Sequence, residues 1–310
     1  MCDNRRGVST VADVSLGILV VVVAMGVLVT AAETESHEHD PTDTAYAAQT
    51  IAGSTVNTTY SLGPAIEAYF RDYRQTANPY SEGELRRVSH GPIATQVADL
   101  AVAMTAVDGT QVSAAATDYR RALEAALWTR LRGSQFDLSV TAHWRPVAGV
   151  DLLGKVALGE TPPPDADVST KTVTVPSGLP SAREDSIETI DGPGDYLAVA
   201  RAVANATVTG LFPPLETQRA LEQTGAEADF VRYRYERLAR VLDGGRTVFE
   251  RRDWLSPSSA DAAAANEYLR RRLAATLGPQ LDDAYESAQD AARKVSVETV
   301  TLTLRTWTHE

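Results

Sequence analysis

The sequence predicts an α+β fold: a mixed helical domain with a small, mostly antiparallel sheet, preceded by one N-terminal transmembrane helix. Three observations predict it. Val14 to Ala32 is a run of nineteen residues without a charge, close to the roughly 20 apolar residues an α-helix needs to cross a bilayer core. Phe136, Leu138, Val140, Ala142 and Trp144 alternate with Asp137, Ser139, Thr141 and His143, the period of a strand with one apolar face. The second half of the chain carries long stretches with apolar residues at helical spacing. Isolated strands among runs of helices point to α+β packing.

At the N-terminus, Arg5 and Arg6 precede the apolar run and Glu33, Glu35, Glu38 and Asp40 follow it. Basic flanks stay cytoplasmic. Residues 1–13 are therefore expected inside, 14–32 across the bilayer and 33–310 outside, as a single-pass protein of the cell membrane. The run exceeds the roughly 7–15 residues of a signal-peptide core, so an anchor is expected rather than a cleaved signal.

The stretch Arg5-Arg6-Gly7-Val8-Ser9-Thr10-Val11-Ala12-Asp13, followed by an unbroken apolar helix, resembles the N-terminus of archaeal type IV pilin-like proteins. That resemblance implies cleavage after Gly7, with Val8 as the mature first residue, and a leader of residues 1–7. It also implies that the freed helix packs in a filament or assembly platform. The resemblance covers residues 5–32 only. Asp13, the sixth mature residue, and the large outer domain depart from a major pilin and fit an accessory subunit. More broadly, the chain resembles haloarchaeal membrane-anchored proteins that accompany pilus-type secretion machinery.

Composition agrees with a high-salt setting. The net charge is −12 and the pI about 4.9. Lys155, Lys171 and Lys294 are the only lysines among 29 basic residues. High salt screens the mutual repulsion of so many surface carboxylates. An acidic field also opposes nucleic-acid binding, which depends on neutralising phosphates, so no nucleic-acid partner is expected. The single cysteine, Cys2, precedes the apolar run, so the outer domain can form no internal disulfide.

Beyond an acidic linker at 33–44, the outer domain spans 45–310. Val56 to Leu62 alternates as a strand ended by Gly63-Pro64. Residues 65–89 give no firm assignment. Gly91-Pro92 opens a helix carrying Ile93, Val97, Leu100, Met104 and Val107 on one face, closed by Asp108-Gly109. A second helix over 113–132, capped by Gly133, makes an antiparallel helical hairpin with it. The strand at 136–144 follows, then a strand at 150–158 and a short one at Thr172–Val175. Residues 177–192 read as loop, and a break there could separate two lobes; one strand-closed domain fits equally.

Helices are then predicted from Pro193 or Asp195 to Leu211, near Leu215–Gln223, and from Glu227 to Asp243. A helix starting at a capping box of Ser258 and Asp261 is divided by Pro279 from a last helix reaching Lys294. Val295 to Thr308 closes the domain as a strand. A β-bulge near Glu298 or Thr299 would reconcile its two apolar phases. The 56–62 and 136–144 strands are its candidate partners.

Familiar chemistry is missing. The chain has no HExxH, GxSxG, GxxxxGK[ST] or GxGxxG, so a common hydrolase, NTPase or dehydrogenase is not expected. His37 and His39 with Glu38 and Asp40 have metal-binding chemistry but lie in a linker with no further ligand in view. No metal and no cofactor are therefore expected. His143 falls on the wet face of its strand. The run Arg232-Tyr233-Arg234-Tyr235-Glu236-Arg237 alternates cations with aromatics. At helical spacing it reads as a solvated face with an Arg232–Glu236 pair. Arg270-Arg271-Arg272 reads likewise, and Glu184 and Asp185 are merely adjacent in a loop. Asn57 and Asn205 fit the N-x-[ST] glycosylation pattern.

The leading expectation is a non-enzymatic, membrane-anchored accessory subunit of a pilus or secretion assembly, with the lipid bilayer and other proteins as partners. The alternative is an anchored ligand-binding or sensing domain, which would show a pocket. A third, an anchored hydrolase, would show a carboxylate pair in a polar cleft.

Overall fold

A computed structural model describes residues 41–112, 116–132, 134, 136–243, 249 and 252–308. The chain begins with α1 (Pro41–Gly53), β1 (Thr55–Ser61), α2 (Gly63–Tyr69), a π-helical turn at Phe70–Arg74, α3 (Glu82–Leu85) and β2 (Arg86–Pro92). It continues through α4 (Ile93–Ala103), β3 (Thr105–Val107), β4 (Thr110–Gln111), α5 (Ala116–Arg130), β5 (Asp137–Trp144), β6 (Leu152–Gly159) and β7 (Ser169–Pro176). The second half holds α6 (Arg183–Glu188), α7 (Tyr196–Leu211), α8 (Pro214–Leu221), α9 (Ala226–Leu242), α10 (Ala262–Ala284), α11 (Ala288–Arg293) and β8 (Thr299–Trp307).

The α+β class stands, but its membrane-spanning part is corrected. Among the described residues no helix is long and apolar enough to cross a membrane. The longest, α10, has 23 residues, yet Glu267, Arg270, Arg271, Arg272, Asp282 and Asp283 interrupt its apolar positions. The run 14–32, the leader with Gly7 and Val8, and the His37–His39 stretch all lie outside the described residues. So does Gly133, the expected helix cap. The expected linker ends early: α1 starts at Pro41 and Thr44 is already buried, its hydroxyl 2.6 Å from that of Thr306 in β8.

Among the described residues two antiparallel sheets form. The larger has the order β4-β3-β6-β5-β8-β7. Leu138, Val140, Ala142 and Trp144 of β5 are fully buried on its inner face. Val156 and Leu158 of β6 and Val300, Leu302 and Leu304 of β8 lie beside them, at 2% exposure or less. Helices α4 and α1 pack on that face. Gly154 is needed there: a Cβ would fall 2.1 Å from the Ala101 carbonyl oxygen of α4. One continuous core runs from Ala47 to Leu304 and takes in Leu179 and Ala182 of the 177–192 stretch, where α6 also forms.

The closing strand pairs with β5 and β7. It does not pair with β1, which joins only β2 in the second sheet. Strand β2 (RRVSHGP) shows no apolar alternation, and its Val88 is 63% exposed. The β8 phase shift has no bulge: Val295 and Val297 are buried in a turn before the strand starts at Thr299. The expected helical hairpin is also interrupted. Asp108-Gly109, with φ of 47° and 72°, turns β3 into β4, and two positive φ values are what a tight hairpin requires. Pro279 lies within α10 instead of dividing it. Asp261 itself caps that helix, accepting from Ala264 N at 2.8 Å.

Candidate functional site

A cleft of about 500 Å³ opens where the sheet-bearing half meets the helical half. Its size lies in the range of small-molecule sites. Tyr60 of β1, Ser89 of β2, Asp99 of α4 and Tyr119 of α5 line one side. The loop after β7, the end of α7 and one face of α9 line the other.

The helical wall follows from local sequence. Pro213-Pro214 ends α7, because proline cannot extend a helix. The last carbonyls of α7 are thus left without helical partners. Arg234 Nη2 of α9 donates to one of them, Leu211 O, at 2.8 Å, and a cation there is also favoured by the helix dipole. Phe230 stands one turn earlier on α9. The Arg234 guanidinium lies 5.0 Å from the Phe212 ring centre and 5.9 Å from that of Phe230, within cation–π range. Phe212 is in turn stacked on Tyr235 at 4.1 Å. Burial lowers the proton affinity of Arg234, with Tyr235 and Tyr60 opposing, yet a guanidinium keeps its charge in proteins. Among the described residues it has no carboxylate partner within ion-pair distance.

Arg232, two residues earlier, is the contrast. It is buried and does not pair with Glu236, which corrects the solvated-face reading. It meets Asp229 at 2.8 Å and donates to the carbonyls of Leu221, Gln223 and Leu255, each at 2.8 Å. Tyr80 completes this cluster by donating to Asp229 at 2.6 Å. Arg232 is a satisfied structural cation; Arg234 is held by one carbonyl and faces the cleft.

On the opposite side Tyr60 and Tyr119 have ring centres 4.7 Å apart. Tyr119 Oη donates to Gln96 Oε1 at 3.2 Å and lies 3.3 Å from Ser89 Oγ. Gln96 is fixed by donating to the carbonyls of Val56 and Gly91, both at 2.9 Å. Burial raises the phenol pKa of both tyrosines. Asp99 is exposed at the cleft, yet the protein packed around it raises its carboxyl to about 6. The loop wall is tied down by hydrogen bonds and packing. Ser177 Oγ donates to Val297 O at 2.8 Å and accepts from Leu179 N at 3.1 Å. Leu179 packs so closely on Gly210 that a Cβ there would sit 2.1 Å from its Cδ2.

The sequence-predicted positions lie elsewhere. Asn57 is exposed on β1, its Oδ1 2.5 Å from His90 Nδ1. Asn205 is exposed on α7, in a groove with Arg201, Arg270 and Arg271. Arg270 and Arg271 both reach Glu267, at 3.8 and 3.4 Å, and Arg272 reaches Asp243 at 2.5 Å. Glu184 and Asp185 sit in the first turn of α6. His143 is on the wet face of β5, but half-buried. Among the described residues no group of three or more His, Cys, Asp and Glu side chains could hold a metal ion.

Residues 12–307 match a protein family described as a family of unknown function, DUF7284. The chain belongs to the DUF7284 family. The DUF7284 match takes in the apolar run and every element of the described domain, so the cleft lies wholly within the family's extent. No curated protein and no solved structure matches the chain.

Proposed function

We propose that this domain binds a small organic anion with an aromatic or flat apolar body in the cleft between α4, α5, α7 and α9. The acid group meets Arg234, and the body lies among Tyr60, Tyr119, Phe212 and Phe230. The observation that carries this reading is Arg234 itself: a crowded guanidinium with one carbonyl partner, facing a cleft of about 500 Å³. Its planar fork suits a carboxylate or a phosphate monoester. Binding, not hydrolysis, fits the lining. Among the described residues Asp99 is its one carboxyl, and neither histidine nor cysteine contributes to it.

This is the ligand-binding alternative of the two main expectations. The accessory-subunit expectation rests on residues 5–32, which lie outside the described residues. A thermal-shift screen of aromatic carboxylates and phosphate monoesters tests the proposal. A ligand at about 100 times its Kd stabilises the fold by roughly 2.7 kcal/mol. A compound that raises Tm in the native chain and not in Arg234→Gln supports the reading. Equal shifts in both chains count against it.

A further inference from the structure

The open face of the large sheet carries a second cluster that the cleft does not use. Strand register places His143 of β5 directly opposite Lys155 of β6 and Thr301 of β8. Arg145, two residues beyond His143, continues the same face. Like charges directly opposite one another on a sheet are destabilising, so the neighbouring Lys155 and Arg145 oppose protonation of His143. Among the described residues neither Arg145 nor Lys155 has an ion-pair partner, in a chain of net charge −12. His143, Arg145, Ser296, Thr299 and Thr301 together line a depression of about 370 Å³. The Ser296 and Thr299 hydroxyls hydrogen-bond each other, which leaves one of the two hydrogens and several lone pairs to serve a ligand. No carboxylate lines the depression. The nearby acid, Glu298, lies in the turn before β8 with Oε2 buried.

We propose that this depression binds a tetrahedral oxyanion of the sulfate or phosphate class, free or as an ester headgroup, through Arg145, His143 and the hydroxyls of Ser296, Thr299 and Thr301, with Lys155 flanking. A divalent anion offsets the repulsion between the Arg145 and Lys155 cations and accepts hydrogen bonds from the donors of the cluster. It also reverses the local effect on His143, whose pKa is at present lowered by burial first and by Lys155 and Arg145 after it. Proton uptake by His143 therefore accompanies binding, which tightens as pH falls.

The test is an NMR titration of the histidine rings in the full chain, with His143 assigned through His143→Gln. Sulfate is the first probe because its charge does not change across the pH range. Chloride at equal ionic strength is the control. Sulfate is expected to raise the His143 midpoint by about one pH unit, and Arg145→Gln with Lys155→Gln to abolish that rise. Both substituted side chains are exposed, and retained circular dichroism verifies the fold. Glycerol phosphate and vesicles containing phosphatidic acid, both phosphate monoesters, then separate the sources. Given a sulfate response, a shift of similar size with the soluble ester assigns a free oxyanion, and a larger shift with the vesicles than with the soluble ester at equal phosphate assigns a headgroup. A His143 midpoint equal in sulfate and chloride overturns the proposal.

Discussion

The guanidinium of Arg234 lies 5.0 Å from the ring centre of Phe212 and donates to the carbonyl of the residue before that ring. One aromatic and one helix end thus hold a cation in the wall of the cleft without neutralising it. Arg232, on the same helix, is consumed by Asp229 and three carbonyls. The difference between these two arginines is the basis of the functional reading.

Asp99 gives a pH prediction. Its carboxyl titrates at about 6 in the folded chain against 3.8 ordinarily, so the folded state holds the proton more tightly. The stability this group contributes is full below about pH 4 and is lost as pH rises through about 6. Asp99→Asn is expected to be neutral near pH 4 and stabilising by about 1 kcal/mol near pH 8, after discounting for solvent on its open side. Denaturant unfolding at both pH values checks this; a larger gain at the acid end would contradict it. Neutral Asp99 also repels an anionic ligand less, so affinity should rise as pH falls through the same window.

The Arg232–Asp229 pair is structural. Removing one member of a buried ion pair leaves the other uncompensated. Asp229→Ala should cost about 3 kcal/mol of stability, read from the urea midpoint. It also strands the Tyr80 hydroxyl. A loss below about 0.5 kcal/mol, the scale of a surface change, would restore the solvated-face interpretation.

Much of the sheet was legible in the sequence, because β5 has strict alternation and every buried position on it is apolar. Strand β2 was not: Arg86, Arg87, Ser89 and His90 contribute no apolar period, and only pairing with β1 makes the segment a strand. Asp108-Gly109 is a strong hairpin signal, but Met104 and Val107 continue the helical spacing up to it and make it resemble a helix stop. The cleft was less legible still. Arg234 sits in a run of alternating cations and aromatics, but its carbonyl partner is 23 residues away in sequence. Asp99 has no local signal: it is an exposed polar residue on an amphipathic helix, like many others. Its raised pKa comes from elements brought in by the fold.

Trp144 ties the inner face of the sheet to the turn before β8. Its buried indole Nε1 donates to Val297 O at 2.8 Å, and Ser177 donates to the same oxygen. Trp144→Phe should cost roughly 2–3 kcal/mol from lost packing and a weakened polar contact. Thermal unfolding measures it, and an unchanged Tm would contradict the assignment.

Gly210 sets the distance between α7 and the loop after β7. Gly210→Ala forces Leu179 away, since the new Cβ would overlap its side chain. A stability loss of about 1–3 kcal/mol is expected, together with weaker ligand binding because Leu179 lines the cleft. Loss of stability with unaltered binding would place the ligand elsewhere.

The most direct measurement is titration calorimetry of the strongest aromatic acid from the screen against the native chain and Arg234→Gln at matched pH. A charged hydrogen bond contributes about 1.5–3 kcal/mol, so the variant should bind roughly 10- to 150-fold more weakly while its unfolding stays cooperative. Equal affinity in the two proteins would show that Arg234 does not receive the acid group, and the proposed function would fail.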